Sequence, residues 1–384
     1  MEREPRVRTT HGSTRAEVAG VGDGPPTGRP VGGGVAIGRS VAHTRPRRPA
    51  RHGSPDPVQR GGAGRPGGTR RGLVLGGGGV LGSAWMTGAL HAYEEATGVD
   101  PRTMEIIVGT SAGAVLAALA GHHVSTATMV DQQRGVLLDG VPYLDYARIN
   151  ATAPPTPRLR LGSGRLLVAS ARNPRSVTFL IALTAVLPQG RGTMEPVEKL
   201  IESAGLGRRG GWPAFPRVWI VAMDYATGER VVFGRPGAPA AKLSRAVVAS
   251  CAIPGWYEPV RIGDRLYVDG GARSATSLDL LADLGLDEVL VLAPAASFDT
   301  DHPRHPAARL ERRFRRSVTR RLLREAALVR ASGTAVTMLA PGREDLAEIG
   351  ANLMDVQRVP RVLETSLRTS ATALAALRGD PTPA

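Results

Sequence analysis

Ile106-Ile107-Val108-Gly109-Thr110-Ser111-Ala112-Gly113-Ala114-Val115-Leu116-Ala117-Ala118-Leu119-Ala120 reads as a short apolar strand, a G-x-S-x-G turn and an alanine-rich helix. A strand entering such a turn and a helix leaving it set the serine at the tip, where its hydroxyl is exposed to attack a substrate. The turn forces Ser111 into a strained backbone conformation. It also brings neighbouring chain so close that side chains at Gly109 and Gly113 would collide with it. The following helix points its positive end at Ser111, which is therefore the candidate nucleophile. In a chain of 384 residues with 48 glycines the five-residue pattern alone is weak, and a structural glycine turn is the competing reading. The flanking sequence decides between them.

Upstream lies Arg71-Gly72-Leu73-Val74-Leu75-Gly76-Gly77-Gly78-Gly79-Val80-Leu81-Gly82, followed by a stretch of helical character from Ser83 to about Thr97. This is a strand, a glycine loop and a helix. Four consecutive glycines present backbone N–H groups with no side chains in front of them, which suits close approach to an anion. Gly77-x-Gly79-x-x-Gly82 is formally a dinucleotide-binding pattern, but that reading wants an acidic residue at the end of the second strand. Here the second strand ends in Gly109-Thr110-Ser111, and Glu105 lies before it. The alternative anion is the oxyanion of an acyl-transfer transition state, held by the N–H groups of Gly77, Gly78 and Gly79. A third piece is Asp269-Gly270-Gly271 after Arg265-Leu266-Tyr267-Val268. A strand would deliver the carboxylate to a turn where glycines permit close packing, although an Asp-Gly pair by itself is more often a simple turn.

Taken together, these pieces resemble the patatin-like phospholipase family, which carries a glycine-rich oxyanion loop, a G-x-S-x-G turn and a D-G-G or D-G-A motif in that order. The matching positions are Gly77 to Gly82, Gly109 to Gly113 and Asp269-Gly270-Gly271, and Ala249-Ser250-Cys251-Ala252-Ile253-Pro254 is similar to the family's A-S-x-A-x-P segment. The resemblance covers about residues 71–341. It implies a Ser111-Asp269 dyad without histidine, an oxyanion hole at Gly77, Gly78 and Gly79, and supporting roles for Gly82, Gly109, Gly113, Gly270 and Gly271. It implies hydrolysis of lipid acyl esters of the phospholipase A or lysophospholipase type, with no cofactor and no metal. Leu81 departs from the family, many of whose members carry Arg or Lys there.

Residues 1–71 are dense in Gly, Pro, Arg and Ser and hold fourteen arginines against five acidic residues, a net charge of +9 out of +15 for the chain. With no apolar run to build a core, they are expected to be a disordered leader. Their charge suits a solvated tail or an anionic lipid surface, and the near absence of aromatics argues against nucleic acid. No signal-peptide core and no membrane-spanning stretch is visible; the best apolar run, Val177 to Leu187, is far short of ~20 residues. The sole cysteine, Cys251, fits a reducing compartment and is expected to pack as a small apolar group. These features predict a cytoplasmic protein, soluble or peripheral to a membrane.

All-apolar runs at Leu73-Val74-Leu75, Ile106-Ile107-Val108 and Val289-Leu290-Val291-Leu292 are the pattern of strands buried on both faces. Strands alternating with helices predict a three-layer α/β sandwich with a mostly parallel central sheet. Its expected parts are a catalytic domain over 72–341, a helical insertion at about 126–205 covering the site, and a C-terminal helical extension over 342–384. Helices are expected at 241–249, 278–284, 308–331 and 360–377, and a hairpin at 218–233. In the helix at 309–324, Leu310, Phe314, Val318 and Leu322 make a candidate apolar stripe amid arginines, with docking on the sheet or contact with anionic headgroups as competing readings. Two functional rivals remain at this stage. One is a triad esterase using His302 or His305, both in a proline-broken loop; the other is a lipid-binding protein of the same fold without chemistry. His122 and His123 suit the negative end of the nucleophile helix.

Overall fold

Successive residues of a β-strand face opposite sides of the sheet, so a strand that is apolar throughout has to be covered on both. Leu73, Leu75, Ile107, Leu290 and Leu292 are buried in one core, and Val74, Ile106, Val108, Val289 and Val291 in a second across the sheet. Two cores separated by one sheet make three layers. The structure is a computed structural model that describes residues 36–38, 68–136, 162–172, 184–188, 190–204, 209–299 and 306–378.

In chain order the elements are β1 (Ala36–Gly38), β2 (Arg71–Leu75), α1 (Gly79–Thr97), β3 (Ile106–Thr110), α2 (Ala112–Gly121), α3 (Thr126–Gln133) and α4 (Gly164–Arg172). There follow α5 (Glu195–Ala204), β4 (Arg217–Asp224), β5 (Arg230–Phe233), α6 (Leu243–Cys251), β6 (Val260–Ile262) and β7 (Arg265–Asp269). The last are β8 (Glu288–Leu292), α7 (Pro306–Ala331), β9 (Ala335–Ala340), α8 (Arg343–Ile349) and α9 (Val359–Arg378). The sheet runs β1-β9-β8-β2-β3-β4-β7-β6, with β5 also on β4. From β9 to β4 the neighbours are parallel; β1, β5, β6 and β7 pair antiparallel.

Helices α1, α2, α6 and α9 supply the first core, and α7 with the 3-10 turn Leu278–Leu281 supplies the second. The helix expected at 278–284 is only that turn: the Leu280, Ala282 and Leu284 N–H groups donate three residues back, to the Ser277, Asp279 and Leu281 carbonyls, and Gly285 at φ 64° follows. Helix α1 begins at Gly79, earlier than the expected Ser83, so the last loop glycine is also the first helical residue. The C-terminal segment packs on the domain through α9, where the Ser366 hydroxyl donates to the Trp85 carbonyl at 2.6 Å.

The apolar stripe of α7 is not the one expected. Leu322 is buried, but Phe314 is 43% exposed, and the face toward the sheet carries Arg315, Thr319, Leu322, Glu325, Ala326 and Val329. At 3.6 residues per turn, a four-residue repeat drifts about 40° per step, so a line from 310 to 322 winds off the buried face.

The expected leader falls mainly on residues outside those described. Within it Ala36–Gly38 form β1 on the edge of the sheet, and two of its last residues belong to the fold: Arg70 Nε pairs with Glu105 Oε2 at 2.7 Å, and Arg71 Nε with Glu288 Oε2 at 2.8 Å. Of the insertion, α3, α4 and α5 are helical as expected, and most of 137–183 lies outside the described residues. There Leu166 and Ala185 form a small core with Met223, Tyr225 and Val268, and the Tyr225 hydroxyl donates to the Thr184 carbonyl at 3.1 Å.

The crossing of α1 and α9 is closest at Gly88, where an added Cβ would stand 2.9 Å from Ser366 Cβ and 3.0 Å from the Leu363 carbonyl oxygen. Backbone cannot yield as a flexible side chain does. Gly88→Val is therefore expected to lower stability by ~3 kcal/mol, read as a shift in the urea midpoint with unchanged m-value; an unchanged midpoint would contradict this packing.

Candidate active site

Strand β4 lies between β3 and β7, with Thr110 paired to Val221 on one side and Asp269 paired to Ala222 on the other. Ser111 follows Thr110 directly. Two residues far apart in sequence therefore arrive at adjacent registers at the end of one strand, which sets the Ser111 hydroxyl beside the Asp269 carboxyl, where it lowers the carboxyl's proton affinity.

Ser111 has φ 53° and ψ −124°, a conformation that costs a non-glycine residue ~1–3 kcal/mol. Its backbone is held at both ends. The Ser111 N–H donates to Ser250 Oγ at 2.8 Å, and that hydroxyl donates onward to the Val221 carbonyl at 2.6 Å. The Ser111 carbonyl accepts from Cys251 Sγ at 3.2 Å and from the Ala114 N–H at 2.7 Å. Cys251, read from sequence as apolar filler, is thus a donor to the nucleophile turn, and burial raises its thiol pKa well above the ordinary value. The turn leaves no space beside its glycines: a Cβ on Gly113 would sit 2.0 Å from the Leu75 carbonyl oxygen, and one on Gly109 2.5 Å from that of Gly113.

Asp269 is buried. Burial raises its carboxyl to about 6, while the Ser111 hydroxyl beside it and a hydrogen bond from the Gly271 N–H at 2.7 Å pull the other way. Gly270 beside it is pressed against β4, where a Cβ would be 2.4 Å from the Val221 carbonyl oxygen. The Asp269 N–H donates to the Ala252 carbonyl at 3.0 Å.

The glycine loop splits into two kinds of donor. Gly77 N–H donates to the Ala275 carbonyl at 2.8 Å, Leu81 N–H to Leu353 at 3.0 Å, and Gly82 N–H to Gly78 at 2.9 Å. Gly77 is therefore committed, against the expectation that it faces an oxyanion. The N–H groups of Gly78 and Gly79 have no acceptor among the described residues. Glu105, the acid nearest in sequence to a ribose-binding position, lies at the other end of β3 and is occupied by Arg70 and Arg217.

Two buried charges of α7 hold the loop's neighbours from behind the sheet, and sequence reasoning missed both. Glu325 accepts from Ser274 Oγ at 2.7 Å, Thr276 Oγ1 at 2.8 Å and the Leu278 N–H at 3.0 Å, bracketing Ala275. Arg315 Nη1 donates to the Pro294 carbonyl at 2.7 Å, and Pro294 packs on Gly78 and Gly82. The available signal was the spacing Glu311 to Arg315 and Arg321 to Glu325, both i,i+4 ion pairs.

Ser111 opens into a cleft of about 470 Å³ whose walls include Val80, Val115, Met194, Val197, Ile253 and Met354. Met354 comes from the C-terminal segment, and Met194 and Val197 from the insertion, so both additions contribute walls. A second cavity of about 330 Å³ shares Ser83 and Val115 with the first and is lined also by Leu116, Leu119, Met129 and Leu200. Among the described residues no three His, Cys, Asp or Glu side chains gather as a metal site would require. His302 and His305 lie outside the described residues, and His122 caps the far end of α2.

The family profile of patatin-like phospholipases matches residues 73–282, which take in the glycine loop, the Ser111 turn and the Asp269 turn. The chain belongs to this family. Patatin-like phospholipases are lipid acyl hydrolases. Among solved structures, VipD from Legionella pneumophila is similar over 80% of this chain and 67% of its own, at 13% identity and a TM-score of 0.40. The type III effector ExoU is similar over 81% of this chain and 61% of its own, at 20% identity and a TM-score of 0.29.

Ser250→Ala removes an acceptor and a donor that are both buried, so it is expected to cost ~1–3 kcal/mol of stability and, by loosening the strained turn, between about tenfold and a hundredfold in kcat. Wild-type kinetics in a thermally stable Ser250→Ala variant would count against the clamp. The raised Asp269 carboxyl predicts that kcat/KM rises with pH through a midpoint near 6 and then levels. The same raised value means that Asp269 contributes stability below its ordinary 3.8 and loses it as pH rises through about 6. Asp269→Asn should then be more stable than wild type at pH 8 by on the order of 3 kcal/mol, measured by denaturant titration at pH 4 and pH 8.

Proposed function

We propose that the chain cleaves acyl esters of lipids, as a phospholipase A or lysophospholipase, with Ser111 as nucleophile and Asp269 as general base. The observation that carries the reading is a strained serine set beside a buried carboxylate at adjacent strand registers, next to the uncommitted N–H groups of Gly78 and Gly79. Ser111 Oγ attacks the ester carbonyl and its proton passes to Asp269. The oxyanion that forms accepts from Gly78 and Gly79, with the positive end of α2 behind it. Asp269 returns the proton to the leaving alcohol, and water resolves the acyl-enzyme by the reverse path. A carboxylate with its proton affinity raised to about 6 is a better base for a hydroxyl than one at 3.8.

The apolar cleft and the cavity that shares Ser83 and Val115 with it supply walls for an acyl chain. A lipid ester is presented at an interface, so the proposed setting is peripheral contact with an anionic membrane surface; the lone reduced Cys251 fits the cytoplasmic side. Among the described residues no helix is long and apolar enough to cross a membrane.

Labelling by a fluorophosphonate probe tests the nucleophile: wild type should label at Ser111, and Ser111→Ala should not. Ser111→Ala and Asp269→Asn should each lower hydrolysis of a short soluble ester by ~10⁴-fold or more, and the double variant should be no worse than either, because the two act as a unit. Residual activity in Ser111→Ala comparable with wild type would exclude Ser111. Full activity in Asp269→Asn would exclude the carboxylate as base.

A further inference from the structure

Helix α7 is the most basic element of the chain, and its charges are sorted by side. Its two acidic residues among those described, Glu311 and Glu325, are turned inward with side chains only 13% and 6% exposed. Arg315 is buried between Glu311 and the Pro294 carbonyl. On the outside lie Arg313, Arg316, Arg320 and Arg324, all exposed. At 100° per residue these four fall within an arc of about 80° and run along about 16 Å of helix, opposite the buried face. None has an acidic partner among the described residues; Arg316 and Arg324 reach only the carbonyls of Arg312 and Arg320. Elsewhere on the surface Arg70, Arg71, Arg134, Arg217 and Arg368 each pair with a glutamate. The row on α7 is a local excess of positive charge.

Apolar side chains flank the row on both sides. Leu323, 43% exposed, borders one edge, and Phe314 and Leu328, 43% and 59% exposed, border the other. Single exposed apolar chains are ordinary on a solvated surface, but here three of them flank one row of arginines. A helix that lies along a lipid interface uses both kinds, arginines toward anionic headgroups and apolar chains into the boundary beneath them. A polyanion such as nucleic acid would use the arginines but leave the leucines in water, with a single aromatic for stacking. The N-terminal half of α7 is tied to Pro294, which packs on the glycine loop, so the row starts at the edge of the sheet that carries the glycine loop, in the layer across the sheet from the cleft.

We infer that the outer face of α7, with Arg313, Arg316, Arg320 and Arg324 between Phe314, Leu323 and Leu328, is a docking surface for an anionic lipid bilayer. The choice of lipid over another polyanion rests in part on the proposed lipid substrate. The test uses the full chain in a Ser111→Ala background, so that vesicles stay intact, and compares it with the same chain carrying R313Q, R316Q, R320Q and R324Q. Each arginine near a charged surface is worth ~5-fold in affinity. Sedimentation with phosphatidylserine-containing vesicles should therefore fall by about a hundredfold or more, binding to pure phosphatidylcholine should be weak for both, and raised salt should reduce the difference. Lysine at the same four positions should restore binding. Affinity for anionic vesicles unchanged by the glutamine substitutions overturns the inference. So does tighter binding to duplex DNA or RNA than to vesicles, lost in the same variant. With Ser111 restored, hydrolysis of a short soluble ester should be equal in the two chains. Absence of that hydrolysis from both would sink the proposed chemistry while the vesicle result still decides the surface.

Discussion

A single hydroxyl spans the end of β4. Ser250 accepts from the Ser111 N–H and donates to the Val221 carbonyl, so the turn after β3 is tied to the strand beside it through the end of α6. A residue at φ 53° relaxes unless its surroundings over-determine it. Here the N–H and the carbonyl of Ser111 are both engaged, and close backbone at Gly109 and Gly113 denies the turn any other path. The same run of chain reaches the carboxylate, because Ala252 accepts from the Asp269 N–H. The end of α6 and its cap residue Ala252 thus set both residues from which the proposed chemistry starts.

What could be read from the sequence was whatever depends on local pattern. Leu73 to Leu75, Ile106 to Val108 and Val289 to Leu292 announced buried parallel strands because every position is apolar, and period-two packing then required a layer on each side. The glycine loop, the Ser111 turn and the Asp269 turn were visible for the same reason: each needs glycine at fixed offsets. What could not be read depends on long-range pairing. The commitment of the Gly77 N–H to Ala275 is set by a contact across the fold, and no feature of four consecutive glycines distinguishes the first donor from the next two. Met354 as a wall of the cleft follows from the path of the chain before α9, which composition does not reveal. The stripe on α7 failed for a geometric reason, since a strict four-residue repeat does not track one face.

Burial of Asp269 acts in two directions. It raises the proton affinity of a carboxylate that would otherwise be a poor base for a hydroxyl, and it makes the ionised form expensive to hold in the fold. The hydrogen bond from Gly271 and the Ser111 hydroxyl beside the carboxyl offset part of that cost without cancelling it. A fully solvated aspartate would be cheaper and less useful. A fully buried one with no donors would stay protonated at neutral pH and could accept nothing. The observed arrangement lies between these limits, with a value near 6 that leaves the carboxylate mostly ionised at neutral pH while keeping it ready to receive a proton.

Helix α7 carries the same opposition in its arginines. A buried guanidinium must have partners, because an uncompensated charge in a low-dielectric interior costs several kcal/mol, of order 3–5 when one partner is lost. Arg315 has Glu311 and two backbone carbonyls, and through Pro294 it steadies the glycine loop. An exposed guanidinium needs no partner, since water solvates it, and Arg313, Arg316, Arg320 and Arg324 have no acidic one among the described residues. Composition treats all five alike. Only the rotation of the helix about its axis separates the arginine that serves the interior from the four that leave a charged row outside. That rotation is set by Leu322, Ala326 and Val329 packing against the sheet, which leaves the outward row of unpaired charge as a consequence of how the core is filled.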